Sequence, residues 1–139
     1  MPKSVLMDSC IWFDYLEAKE ETVQFYNILN RERAVFIVPY PSLYEVLNTR
    51  LVRRRQKLFI FENILTTPQI RFFDDVPYRD DARREVFDKA RWGFDYSFVD
   101  CVFREILMDR DNRIDYLATI NTKDFADVCA LRNIEIIQP

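Results

Sequence analysis

Ser4-Val5-Leu6-Met7-Asp8-Ser9 decides how this chain folds: an apolar run too short for a core helix, closed by an acid and a helix-starting serine. A continuous apolar run of this length reads as a strand buried on both faces, the pattern of parallel sheets. From Ser9 a helical segment follows with Trp12, Phe13 and Leu16 on one face, and Thr22 to Asn30 continues as helix. Val35 to Val38 is a second strand, stopped by Pro39 and Pro41. From Ser42 the spacing of Leu43, Val46, Leu47 and Leu51 predicts a helix, which carries on through a basic run to Leu65, with room for a bend. Ile70 to Phe73 is a third strand, Tyr78 to Trp92 a charged amphipathic helix ending near Gly93, and Ser97 to Met108 an apolar helix. Tyr116 to Ile120, Phe125 to Leu131 and Ile134 to Ile137 complete the pattern as strand, helix and strand. Strands alternating with helices imply an α/β fold, a central parallel sheet with helices on both faces. At 139 residues the chain has room for one core, so a single domain spanning residues 1–139 is expected.

Composition narrows the chemistry. With no histidine, the chain has no Ser-His-Asp or Cys-His pair and no histidine-ligated zinc site. A single glycine, Gly93, excludes glycine-rich phosphate loops. Cys10, Cys101 and Cys129 are odd in number and widely spaced, and read as small buried hydrophobes. A formal net charge of −3 argues against nucleic-acid binding through overall charge but leaves room for a local basic patch. With no charged leader before a long apolar core and no apolar stretch of spanning length, a soluble, cytoplasmic protein is expected, with no membrane partner.

Acids stand where packing alone does not want them. Asp8 ends the first strand, and Asp100 interrupts Phe98-Val99-Asp100-Cys101-Val102-Phe103. An ionised carboxylate buried without a partner costs several kcal/mol or more, so each needs a cation, a helix N-terminus or a bound proton. Taken singly, each has an ordinary explanation. Asp8 can cap the helix that follows, Asp100 sits in a Ser-x-x-Asp capping pattern with Ser97, Glu45 is a rim residue, and Asp124 can cap the last helix.

Taken in order, Asp8-Ser9, Pro41-Ser42-Leu43-Tyr44-Glu45, Ser97-Phe98-Val99-Asp100 and Leu117-Ala118-Thr119-Ile120-Asn121-Thr122-Lys123-Asp124-Phe125 resemble the motifs of the PIN-domain nucleases over nearly the full length. Small stand-alone domains of this kind resemble the VapC-type ribonuclease toxins of toxin–antitoxin pairs. That resemblance implies a metal-dependent hydrolase that cleaves RNA, forms a homodimer and is silenced by an antitoxin protein. Asp8 and Asp100 would be the central metal ligands, Glu45 a ligand or water-positioning residue, and Asp124 the fourth acid. Ser9, Asn121 and Thr122 would support the acids or contact phosphate. Many relatives carry an aspartate where this chain has Thr122. A catalytically degenerate domain that only binds RNA or protein is the alternative. The charge arithmetic fits a metal: two unit charges about 4 Å apart repel by about 4 kcal/mol at an effective dielectric near 20, so converging carboxylates need a counter-ion. Oxygen ligands without histidine or cysteine select Mg²⁺ or Mn²⁺.

Arg50, Arg53, Arg54, Arg55 and Lys57 form the densest basic run and, read as one helix with Glu45, would hold an RNA backbone beside the acids. A solvated helix face is the plain alternative for such a run. Among the aromatics, Tyr15, Tyr40, Tyr44 and Tyr96 are stacking candidates, and Leu58-Phe59-Ile60-Phe61 is the candidate dimer surface. A haloacid-dehalogenase-type phosphatase also begins with an aspartate after its first strand, but it needs a second aspartate where this chain has Cys10.

Overall fold

Five parallel strands lie in the order β3-β2-β1-β4-β5 in the computed structural model, which describes residues 1–139. They are β1 (Ser4–Met7), β2 (Val35–Pro39), β3 (Ile70–Phe73), β4 (Tyr116–Ala118) and β5 (Glu135–Ile137). β1 is central, paired with β2 from Ser4↔Val35 and with β4 from Val5↔Tyr116. The chain winds outward from β1 to β3 and then crosses back to place β4 on the other side, so the order reverses between β1 and β4. In open α/β sheets, the crevice beyond the carboxyl ends of the strands at such a reversal is where ligands bind.

The alternation of side chains along the strands divides the core into two layers. Val5, Met7, Phe36, Val38 and Ala118 point to one face, covered by α1 (Ser9–Leu16), α2 (Glu20–Arg31), α3 (Tyr40–Val46), α4 (Thr49–Val52) and α5 (Arg55–Leu65). Trp12, Tyr26 and Phe61 are the large anchors there, with Trp12 5.7 Å from the Tyr26 ring and 5.4 Å from that of Phe61. Leu6, Ile37 and Leu117 point to the other face, against α6 (Arg79–Arg91), α7 (Phe98–Met108) and α8 (Ala126–Arg132). With both faces covered, the strands must be apolar at every position, which is why Val5, Leu6 and Met7 are all fully buried. Gly93, at φ +86, follows the end of α6 in the left-handed conformation that glycine accepts without strain.

The long helix read from Ser42 to Leu65 is three helices. α3 stops at Val46, and Asn48 opens α4 by accepting the Leu51 N–H on its side-chain oxygen while its amide donates to the Glu45 carbonyl. Leu47, expected on the buried stripe, is exposed at this break. Glu45 and the basic run therefore do not share a helix. Cys101 and Cys129 are buried as expected, but Cys10 is only half-buried and has a polar role described below. No helix is long and apolar enough to cross a membrane.

Candidate active site

Asp8 leaves the carboxyl end of β1, and its backbone N–H donates to the Ala118 carbonyl at 3.0 Å, extending the β1–β4 ladder by one bond. It is also the N-cap of α1. Only 6 % of the residue is exposed. Its Oδ1 accepts the Ser9 N–H at 2.8 Å, and its Oδ2 accepts the Thr119 hydroxyl at 2.7 Å and the Cys10 thiol at 3.5 Å. The Ser9 hydroxyl in turn donates to Glu45 Oε1 at 2.8 Å, bringing α3 to the end of β1.

Asp100 stands in the first turn of α7. Its Oδ2 accepts the Ser97 N–H at 3.1 Å, while Ser97 Oγ accepts the Asp100 N–H at 3.0 Å, a complete capping box. The capping reading of Asp8 and Asp100 is thus correct as far as it goes, but neither cap is a cation. Asp124 lies in the short 3-10 turn Thr122–Asp124 that follows β4, and Phe125, not Asp124, opens α8.

Electrostatics tie these acids together. Burial pushes the Asp8 carboxyl above the usual carboxylate range, against the pull of its Thr119, Ser9 and Cys10 bonds, and the charge of Asp100 adds to the rise. Glu45 is raised chiefly because its carboxylate is partly desolvated, with the Ser9 bond opposing and the charges of Asp8 and Asp100 adding. Asp124 is raised by burial and then by Asp100, with Lys123 and Arg104 opposing. Asp100 is common to all of these repulsions, and none of these acids has an ion-pair partner.

As folded, no three acids or thiols stand in an arrangement that would hold a metal ion. Asp100 is turned back onto its own cap. The donors left over are nonetheless hard oxygens. A carboxylate offers about four lone-pair sites. Asp100 Oδ1 and Glu45 Oε2 carry no hydrogen bond, and Asp8 retains free acceptor capacity. That donor set suits a hard divalent cation.

Of the supporting residues expected from the sequence, Ser9 bonds to both Asp8 and Glu45. Asn121 is exposed and reaches Thr119 Oγ through its backbone N–H at 3.0 Å, and the Thr122 side chain makes no hydrogen bond. Thr119 itself, fully buried, escaped the sequence reading although it holds Asp8. Its signal was a hydroxyl directly after the last apolar residues of β4. Cys10 escaped likewise, its thiol pushed up to about 11 by burial and by the neighbouring charge of Asp8.

Behind Asp124 lies a second group of charges that the sequence reading missed entirely. Arg104, 3 % exposed, projects from the apolar helix α7. It donates through Nε to Glu85 Oε1 at 3.0 Å, and through Nη1 and Nη2 to the Asp127 carboxylate at 2.8 Å each. Nη1 also reaches the Asp124 carbonyl at 2.8 Å. The Tyr96 ring covers the guanidinium at 4.6 Å. The Asp124 turn is therefore fixed by a cation bound at once to α6 and α8.

The basic run is divided. Arg54 and Lys57 both pair with Glu17, whose carboxyl their bonds draw down to about 2. Arg50 on α4, Arg53 after it and Arg55 on α5 are exposed and unpaired. Tyr15 packs edge-on against Tyr26, Tyr40 leans on Phe72, and Tyr96 stacks with Phe94. Of the stacking candidates only Tyr44 pairs with no other ring.

No protein-family model matches the sequence, and no curated protein matches it. Its fold does have a counterpart. A chain in the crystal structure of VapBC2 from Rickettsia felis bound to a DNA fragment from their promoter superposes with a TM-score of 0.64, covering 97 % of this chain and 98 % of that one. The two sequences are 15 % identical, and the likeness establishes a shared α/β fold from end to end.

Proposed function

We propose that this protein is a Mg²⁺- or Mn²⁺-dependent endoribonuclease that hydrolyses RNA phosphodiester bonds. The observation that supports this reading is the charge coupling of Asp8, Glu45 and Asp124 to Asp100, with Asp8 at the carboxyl end of the central strand and Ser9 linking it to Glu45. Asp8 and Asp100 would hold the ion, with Asp124 as the fourth acid. A divalent cation bound there supplies an activated water and neutralises charge on the phosphoryl oxygens. Thr119 and Ser9 fix both oxygens of Asp8, and Ser9 passes that orientation to Glu45. Glu45 Oε2, left free by Ser9, is the acceptor for a proton from the attacking water. Arg50, Arg53 and Arg55 offer charge for the RNA backbone.

The fold shared with a chain of a VapBC2 assembly supports a role as the toxin of a toxin–antitoxin pair, with an antitoxin protein as partner and the cytoplasm as the place of action. Phe59 and Ile60, exposed on α5, supply apolar surface for a homodimer. The absence of a ready trio of ligands favours one competing reading, a binding module that has lost catalysis.

Incubating the purified protein with labelled RNA separates the two. Cleavage with Mn²⁺ or Mg²⁺ that stops in chelator, accompanied by a metal-induced rise in Tm, is expected; at a hundredfold excess over Kd the ion adds about 2.7 kcal/mol of stability. Full activity in chelator overturns the metal mechanism, and inactivity with every divalent ion and RNA tried favours the binding module.

A further inference from the structure

Beside Glu45, a cleft of about 460 Å³ opens between α3, the start of α7 and the segment leading into α6. This lies within the roughly 300–1,000 Å³ of small-ligand clefts. Pro41, Val99 and Val102 contribute an apolar lining. Tyr44, 69 % exposed, and Phe98, 47 % exposed, flank it, and neither ring packs on another ring of the protein. Two unpartnered aromatic faces on an apolar cleft suit a planar π-system.

The polar end of the cleft is more specific. Asp75 is buried, and its carboxylate accepts from Arg79 Nε at 2.8 Å and from Arg79 Nη2 at 3.0 Å. That bond pair uses one edge of the guanidinium and locks its plane. The other edge, Nη1 together with the remaining N–H of Nη2, has no acceptor in the protein. A guanidinium buttressed in this way presents two parallel donors, the geometry that matches the adjacent O6 and N7 acceptors of guanine; adenine offers N7 beside a donor amine and cannot satisfy both.

We infer that this cleft binds an unpaired guanine base of the RNA, stacked on Tyr44 and Phe98 and read by Arg79, next to the phosphate that Glu45 serves. The inference rests on the ribonuclease reading for the identity of the polymer. A base can enter only when it is free of a partner strand, so the site selects single-stranded or looped RNA.

The test is fluorescence anisotropy in EDTA, where nothing is cleaved, with the full-length protein and labelled uridine hexamers carrying one guanosine, inosine, adenosine or 7-deazaguanosine. Guanosine and inosine, which keep O6 and N7, should bind roughly tenfold more tightly than adenosine, and 7-deazaguanosine should lose most of that gain. Arg79→Lys keeps the charge beside Asp75 but loses the fork, and should erase the guanosine preference by bringing the guanosine and inosine hexamers to the level of the adenosine hexamer. Tyr44→Ala, at an exposed position, should weaken every hexamer by roughly tenfold. Equal binding of all hexamers, tighter binding of duplex than of single strand, or a guanosine preference that survives Arg79→Lys would each overturn the inference. A preference without cleavage in added metal would instead count against the nuclease reading alone.

Discussion

Asp8, just past the end of β1, and Arg104, on the helix α7 that packs over the sheet, are both nearly buried charges, and the fold treats them in opposite ways. Around Arg104 two carboxylates and a carbonyl use four of its five N–H donors, an aromatic face covers the guanidinium, and the group is closed. Around Asp8 the neighbours are a hydroxyl, a thiol and a backbone amide, and the charge that acts on it, that of Asp100, is of the same sign. A closed group of this kind holds elements in place. The open one leaves an electrostatic demand for something the chain does not contain.

Substitution should expose that difference directly. Asp8→Asn removes the proposed central ligand while Thr119 can turn its hydroxyl to suit the amide, so on the ribonuclease reading RNA cleavage should fall at least about 100-fold, more than the usual loss for an outer partner of a metal ligand. Circular dichroism and Tm should show a fold no weaker than the parent's. A large loss of Tm would instead mean that Asp8 is mainly a structural cap. Arg104→Met should do the reverse in the first instance, costing about 3 to 5 kcal/mol in urea unfolding because Glu85 and the Asp124 carbonyl lose a buried partner. A cost under about 1 kcal/mol would place Arg104 with the surface ion pairs and end the contrast.

The smallest effect concerns the rim of the closed group. Glu105, half-buried beside Glu85, is raised from 4.5 to about 7, first by burial and then by the bond and charge of Glu85. A carboxyl raised in the folded state binds its proton more tightly there than in the unfolded chain. Stability from this group is therefore present at low pH and lost as pH climbs from about 4.5 to about 7. Glu105→Gln should flatten that decline, a gain on the order of 1 kcal/mol at neutral pH after allowance for solvent screening. Unfolding curves at pH 5 and pH 8 for both proteins measure it.

What the sequence made legible follows the same division. The strands could be read because a sheet covered on both faces demands unbroken apolar runs, and Val5-Leu6-Met7 and Val35 to Val38 have no other simple use. The acids could be read because a charge at the end of such a run is conspicuous by itself. Thr119 was invisible because its importance depends on Asp8, far away in sequence and joined to it only by the β1–β4 pairing. Arg104 offered the same local oddity as Asp100, a charge inside an apolar helix, but its meaning lay in Asp127 and Glu85 on two other helices. The false continuation of α3 had a local cause: Asn48 signals an N-cap, and the leucine spacing on either side of it concealed the break.

The order of the strands also sets a timetable for synthesis. β1 sits at the centre, yet the neighbour that completes it on one side, β4, is made well after it, and Thr119 follows Asp8 by 111 residues. A growing chain can assemble β1, β2, β3 and the helices between them while the crevice beside Asp8 still lacks a wall. The wall that carries Thr119 and Asp124 is in place only once β4 has paired with β1, so a nascent fragment that stops short of β4 lacks half of the crevice.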